Sequence, residues 1–260
     1  MTRKRPQPTA ESLPAVLPIF PLPGVLLLPG GQLPLHIFEP RYLAMVDDAL
    51  SNGSGPGSRM IGMIQPLETG TCRRRAATYA TGCAGRITRF NEVDDGRYHI
   101  TLTGVCRFRV GEELPQTPEA GLTTLPASGA GDALYRQVIP VWDAFLHDLK
   151  PVHDCGLDRP RLLAGLRAYF RNQNLTVDWQ AVENTPDERL VTSLAMICPF
   201  GPCEKQALLE APDATERARL LVALVEMALR EPPCGCDAEN PENADVIAFG
   251  RSAPAKPVRH

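Results

Sequence analysis

Cys198 and Cys203 flank the tetrapeptide PFGP, and Cys234 and Cys236 form the tripeptide CGC. Two such pairs supply four thiolates, the donor set of a tetrahedral zinc site, if the chain brings them together. Their spacings, four intervening residues and one, differ from the usual two-residue knuckle. Unrelated thiols and no metal are expected. Cys72, Cys83, Cys106 and Cys155 are scattered, and Cys83 and Cys106 stand in strand-like runs, where buried small hydrophobes are expected. The run HDLKPVHDC, from His147 to Cys155, holds ligand-type residues at no recognised spacing and reads as a solvated helix end. A Ser–Lys pair for nucleophilic chemistry would have to come from Ser193 and Lys205, on separate expected helices. The sequence contains no G-x-x-x-x-G-K-[ST], no H-E-x-x-H and no G-x-S-x-G. Neither catalytic residues nor a cofactor are expected, and the chain does not read as an enzyme.

One cationic cluster has a different meaning. Arg73, Arg74 and Arg75 follow Cys72, and with Arg86 and Arg89 they could line a basic stripe for RNA. No aromatic platform accompanies them, and the net charge of −3 provides no field for nucleic acid or an anionic membrane. A solvated loop is the plainer reading.

The elements that must position these residues begin with composition. At 260 residues the chain can build one large domain or two modest ones. Its 26 prolines are about double the usual share of roughly 5%. The N-terminus is basic but offers no uninterrupted apolar stretch and so reads as an arm and not a signal peptide. No segment reaches transmembrane length. A cytoplasmic protein with reduced thiols is expected.

Residues 14–127 read as strands. In YHITLTGVCRFRV, Ile100, Leu102, Gly104, Cys106 and Phe108 alternate with Thr101, Thr103, Arg107 and Arg109. That period of two describes a sheet with one buried and one wet face. Asp95-Gly96 marks the hairpin before it. One helix interrupts the region, opened by Pro40, with Tyr42, Leu43, Val46 and Leu50 at helical spacing. Residues 132–231 read as helical. Leu134, Val138, Trp142, Phe145 and Leu149 suggest a first helix kinked at Pro140. Asp158 caps a second, carrying Leu162, Leu163, Leu166 and Phe170. Thr185 with Glu188 and Asp213 with Glu216 form two further N-terminal signatures. The expected organisation is a flexible arm over 1–13, a β-rich barrel over 14–127, a helical subdomain over 132–231 and a disordered tail over 232–260.

The stretch LPIFPLPGVLLLPGGQLPLHIFEPRY, residues 17–42, is apolar but broken by Pro and Gly, so no helix can run through it. Together with RMIGMIQP, the GCAGRITRF and YHITLTGVCRFRV pair, and EKQALLE followed by an arginine-containing helix, it resembles the N-terminal domain family of Lon protease. In that ATP-dependent protease the domain is the substrate-recognition module. The resemblance covers residues 14–231 and implies an α+β fold: a PUA-like β-pseudobarrel followed by a C-terminal helical bundle. It further implies a stand-alone, non-catalytic module that binds unfolded or extended polypeptide, as an adaptor or regulator in protein quality control. The expected partners are unfolded or partly folded polypeptide and an ATP-dependent protease, with neither nucleic acid nor membrane; an RNA-binding PUA-like protein using Arg73–Arg75 is the alternative. For the ribbon itself two readings stand. It is core and turn, or Val25, Leu26, Leu27 and Leu28 form an exposed patch that binds polypeptide.

Overall fold

The computed structural model describes residues 8–51, 57–67, 76–93, 95–115, 135–151, 154–172 and 177–230. Six strands are present among them: β1 (Leu17–Pro21), β2 (Gln32–Ile37), β3 (Met60–Ile64), β4 (Thr81–Glu92), β5 (Tyr98–Glu113) and β6 (Gln137–Val141). The helices are α1 (Pro40–Ser51), α2 (Arg159–Asn172), α3 (Trp179–Asn184), α4 (Asp187–Ile197), α5 (Pro202–Glu210) and α6 (Ala214–Arg230). The chain divides into two compact units: Met1–Pro151 with Cys198–Glu210, and Val152–Ile197 with Ala211–His260. The fold class is α+β, as expected.

In the first unit the sheet runs β2-β5-β4-β3-β1-β6, and β6 also pairs with β5, closing a pseudobarrel. Only β1 and β3 are parallel. The hairpin between β4 and β5 turns at Gly96, which takes φ +76°, the left-handed conformation that glycine adopts without steric cost. Ile100, Leu102, Cys106 and Phe108 are buried as their alternation requires. A β-bulge at Val105 bends β5, and β3 is buried along its whole length, as a continuous apolar run between two strands demands. Helix α1 starts at Pro40, whose ring presets the first helical φ, and buries Tyr42, Met45, Val46 and Ala49.

The structure differs from the sequence reading at three places in this unit. Residues 137–141, expected inside a kinked helix, form β6. Val138 and Pro140 are buried while Ile139 and Val141 are exposed, a period of two. Pro140 would break a helix but is tolerated in a short closing strand. Asp143–Leu149 follows as a 3-10 turn, and Leu134 lies outside the described residues. Arg107, expected on the wet face, is 1% exposed. The segment Cys198–Glu210, expected in the helical subdomain, packs with the β-rich unit.

In the second unit α6 packs on α2 and on α4, burying Leu162, Leu166, Leu190, Leu194, Leu221 and Val225. Asp158 and Asp213 cap α2 and α6 through the backbone N–H groups of Arg161 (3.2 Å) and Glu216 (2.9 Å). Thr185 does not cap α4. Its hydroxyl donates to the Ala181 carbonyl at 2.7 Å and so closes α3, and α4 begins only at Asp187. Arg159 spans the α3–α4 junction, donating to the carbonyls of Val182 (2.7 Å), Glu183 (2.9 Å) and Thr185 (3.0 Å) and pairing with Asp187. Among the described residues no helix is long and apolar enough to cross a membrane.

Candidate functional site

The ribbon between β1 and β2 is core. Leu26, Leu27 and Leu28 are 2%, 1% and 0% exposed, and only Val25 is half-buried. The expectation of an exposed apolar patch over 25–28 is therefore corrected at three of its four residues. The reason is a close backbone approach. Gly30 N–H donates to the Gly104 carbonyl at 3.0 Å, and Gly104 N–H to the Gly31 carbonyl at 2.9 Å. A Cβ on Gly104 would collide with the Leu28 carbonyl, and one on Gly85 with the Leu27 side chain. Two side-chain-free positions on β4 and β5 thus let the leucines lie flat on the sheet.

Polar side chains buried in the same unit act as ties. Arg107 donates to Asp148 from its backbone N–H (3.0 Å), Nε (2.9 Å) and guanidinium (2.9 Å), and to the Leu209 carbonyl at 3.0 Å. Its guanidinium lies over the Phe145 ring, with His147 Nε2 at 3.0 Å. Buried charges persist when paired and hydrogen-bonded in this way. Gln206 on α5 donates to the Thr81 carbonyl (3.1 Å) and to Glu210 (2.7 Å), and accepts from Gln65 at 3.1 Å. Lys205 donates to the Gly24 carbonyl at 2.7 Å. Burial lowers its pKa, with the neighbouring Cys198 opposing. Burial pushes the Cys198 thiol up to about 12, Lys205 opposing, and pushes Cys106 to about 12, with Asp148 adding and Arg107 opposing.

The residues that sequence spacing offered for chemistry are thereby placed. Cys83, Cys106, Cys155 and Cys198 are buried, and Cys203 is exposed beside the Tyr79 hydroxyl at 3.6 Å. That hydrogen bond raises the Tyr79 pKa. Lys205 is committed to a backbone carbonyl and Ser193 stands on α4. Among the described residues no group of three His, Cys, Asp or Glu is placed to hold a metal. Cys72, Cys234, Cys236 and Arg73–Arg75 lie outside the described residues.

What opens to solvent in this unit is a groove of about 830 Å³ over β2, β5 and β4. The register explains its lining. His36 opposes His99, which opposes Asn91, and Pro34 opposes Thr101, which opposes Arg89. Directly opposed residues share one face, so these six form two cross-strand rows, all exposed except half-buried Thr101. Thr88, at a bulge, bonds the Thr101 carbonyl (3.1 Å) and the Thr103 hydroxyl (3.0 Å). The rings of His36 and His99 meet edge-on at 4.7 Å, and Phe38 stands 5.8 Å beyond His36. Phe38 is 60% exposed, whereas Phe90, opposite Ile100 and with its ring against Tyr98, belongs to the other face.

Strand β2 has no second neighbour among the described strands. Since Gly31 bonds Gly104, alternation turns Leu33, Leu35 and Ile37 towards β5 and Gln32, Pro34 and His36 outwards. Pro34 brings no donor to that edge, a usual guard against uncontrolled strand pairing. Sequence reasoning missed this surface. Its signal was the alternation of polar and apolar residues in QLPLHI.

The family model described as the ATP-dependent protease La (LON) substrate-binding domain matches residues 16–226. Lon protease 2 of Sorangium cellulosum is 25% identical over 230 residues, 86% of this chain and 26% of that protein. The Lon protease of Roseiflexus castenholzii is 30% identical over 210 residues, 74% of this chain and 25% of that protein. The Lon protease of Anaeromyxobacter dehalogenans is 29% identical over 109 residues, 42% of this chain and 12% of that protein. The chain thus spans no more than about a quarter of these curated relatives. Among solved structures, a Lon N-terminal domain protein from Xanthomonas campestris is 24% identical with a TM-score of 0.49, covering 80% of this chain and 97% of that one. With its family's model matched from residue 16 to residue 226, this chain belongs to the Lon substrate-binding domain family.

Proposed function

We propose that this chain is a non-catalytic polypeptide-recognition module, an adaptor or regulator in protein quality control that acts with an ATP-dependent protease. It takes extended segments of unfolded or partly folded protein into the groove over β2, β5 and β4. The observation that carries this reading is the open strand edge beside an exposed aromatic ring. Gln32 and His36 turn backbone groups outwards along the groove's rim, and Phe38 exposes its ring at 60%. An extended chain presents the complementary backbone groups, and its apolar side chains find the ring. Membership of a substrate-binding family agrees with that geometry. The buried leucines of the ribbon then support the sheet beneath the groove.

Fluorescein-labelled lysozyme, reduced and carboxymethylated so that it stays unfolded, tests the reading by anisotropy. The full chain is expected to bind it and to ignore native lysozyme. Phe38→Ser should weaken that binding without lowering Tm. Equal affinity for native and unfolded lysozyme, or none for either, would sink the proposal. So would turnover of ATP or of the unfolded protein that survives rigorous purification.

A further inference from the structure

The chain carries a net charge of −3, yet the groove face is cationic. Its rows across β2, β5 and β4 read Gln32–Thr103–Arg86, Pro34–Thr101–Arg89 and His36–His99–Asn91, and no carboxylate occupies any of these positions. Glu92 opposes Tyr98 in the next row, on the other face of the sheet. Asp95 at the hairpin is paired with Arg97, and Glu39 with Arg41. Arg89 is exposed and forms no ion pair among the described residues.

We infer that the groove selects acidic extended polypeptide: a carboxylate side chain set on Arg89 and Asn91, spaced from an apolar side chain set on Phe38. This rests on the polypeptide reading above and adds the chemistry of the client. The spacing follows from the register. The ring step from Phe38 to His36, 5.8 Å, runs along β2, and the step from His36 to His99, 4.7 Å, runs across the strands. One further strand spacing of about 4.8 Å reaches β4, so the diagonal from Phe38 to Asn91 is on the order of 11 Å. An extended segment rises about 3.3 Å per residue, so the acidic and apolar side chains stand about three or four residues apart. The exposed His36 and His99 side chains, which lie between Phe38 and Asn91, supply the intervening hydrogen bonds. Nothing in the row requires a particular apolar residue, as suits a module that meets many sequences.

Two twelve-residue peptides, each with a Phe and, three residues away, either Asp or Lys, separate the possibilities when their binding to the full chain is followed by anisotropy. The Asp peptide is expected to bind about tenfold tighter, because an exposed attraction is exchanged for a repulsion of similar size. The preference should shrink with added salt. Arg89→Glu, an exposed position, should reverse it while leaving Tm unchanged. Equal binding of both peptides, unaltered by Arg89→Glu, would overturn the acidic selectivity and leave the polypeptide reading standing. Failure of both peptides and of unfolded lysozyme would overturn the two together. Tighter binding of oligouridine than of the Asp peptide, lost in Arg89→Glu, would assign the face to nucleic acid instead.

Discussion

Lys205 donates its side-chain N–H to the carbonyl of Gly24 across 2.7 Å, joining residues 181 apart in sequence. The two stretches that carry the family resemblance, the Pro/Gly ribbon and EKQALLE, therefore meet at one hydrogen bond. Gly24 adopts φ +70°, a conformation that other residues take only with strain. Lys205 is 9% exposed, which is why its pKa falls below the ordinary 10.5.

That depression fixes a pH dependence. The folded state binds the Lys205 proton less tightly than the unfolded state does. Stability therefore rises with pH between the depressed value and 10.5, and the full cost of the buried charge is present below that window. Relative to Lys205→Met, the wild-type protein is expected to gain stability as pH climbs from neutral into the window. Urea denaturation of both proteins at several pH values measures the gap, and parallel curves would contradict the assignment.

The Arg107–Asp148 pair yields a second expectation. With the two side chains 1% and 6% exposed, Asp148→Ala strands a buried guanidinium and should cost about 3–5 kcal/mol. Arg161→Ala, which breaks the exposed pair with Glu226, should cost far less, because solvent screens that pair. Both values come from denaturant midpoints. Equal losses would mean that solvent reaches Arg107.

Much of this architecture could be read in the sequence. Alternation in YHITLTGVCRFRV, the Asp95-Gly96 turn and the Asp158 and Asp213 caps are local signals, and each describes what forms there. Strand β6 escaped because Val138, Trp142, Phe145 and Leu149 keep helical spacing although they come from a strand and a 3-10 turn. Arg107 escaped because its burial depends on Asp148, 41 residues further on. The groove escaped for the same reason. His36, His99 and Asn91 become a row only through the register of three strands, and nothing local announces that.

The thiols give a third prediction. Brief treatment of the native protein with iodoacetamide should label Cys203 and spare Cys83, Cys106, Cys155 and Cys198. The first is exposed and the other four are buried, with Cys106 and Cys198 held by burial near pKa 12. The thiolate is the reacting species, so burial removes both access and reactivity. Peptide mapping by mass spectrometry reads each site, and modification of Cys198 as fast as Cys203 would show that α5 opens readily.

The apolar residues of the first forty positions fall into two classes, and mutation should sort them. Leu26 and Leu27 are buried against β4 and β5, so Leu27→Ala removes contacts that water cannot replace. It should cost about 2–5 kcal/mol, the range for leucine in a packed core. Gly85 and Gly104 leave room for the leucines only because they lack a Cβ. Phe38 stands 60% exposed, two residues beyond His36 with its ring 5.8 Å from that imidazole. Phe38→Ser removes little buried surface and should leave the denaturation midpoint within about 0.5 kcal/mol of wild type. Capture of unfolded lysozyme should follow the opposite order: weakened by Phe38→Ser, and retained per folded molecule by Leu27→Ala at a temperature where that variant is still native. If Leu27→Ala leaves stability untouched yet abolishes capture, the ribbon is the contact surface and the groove is not.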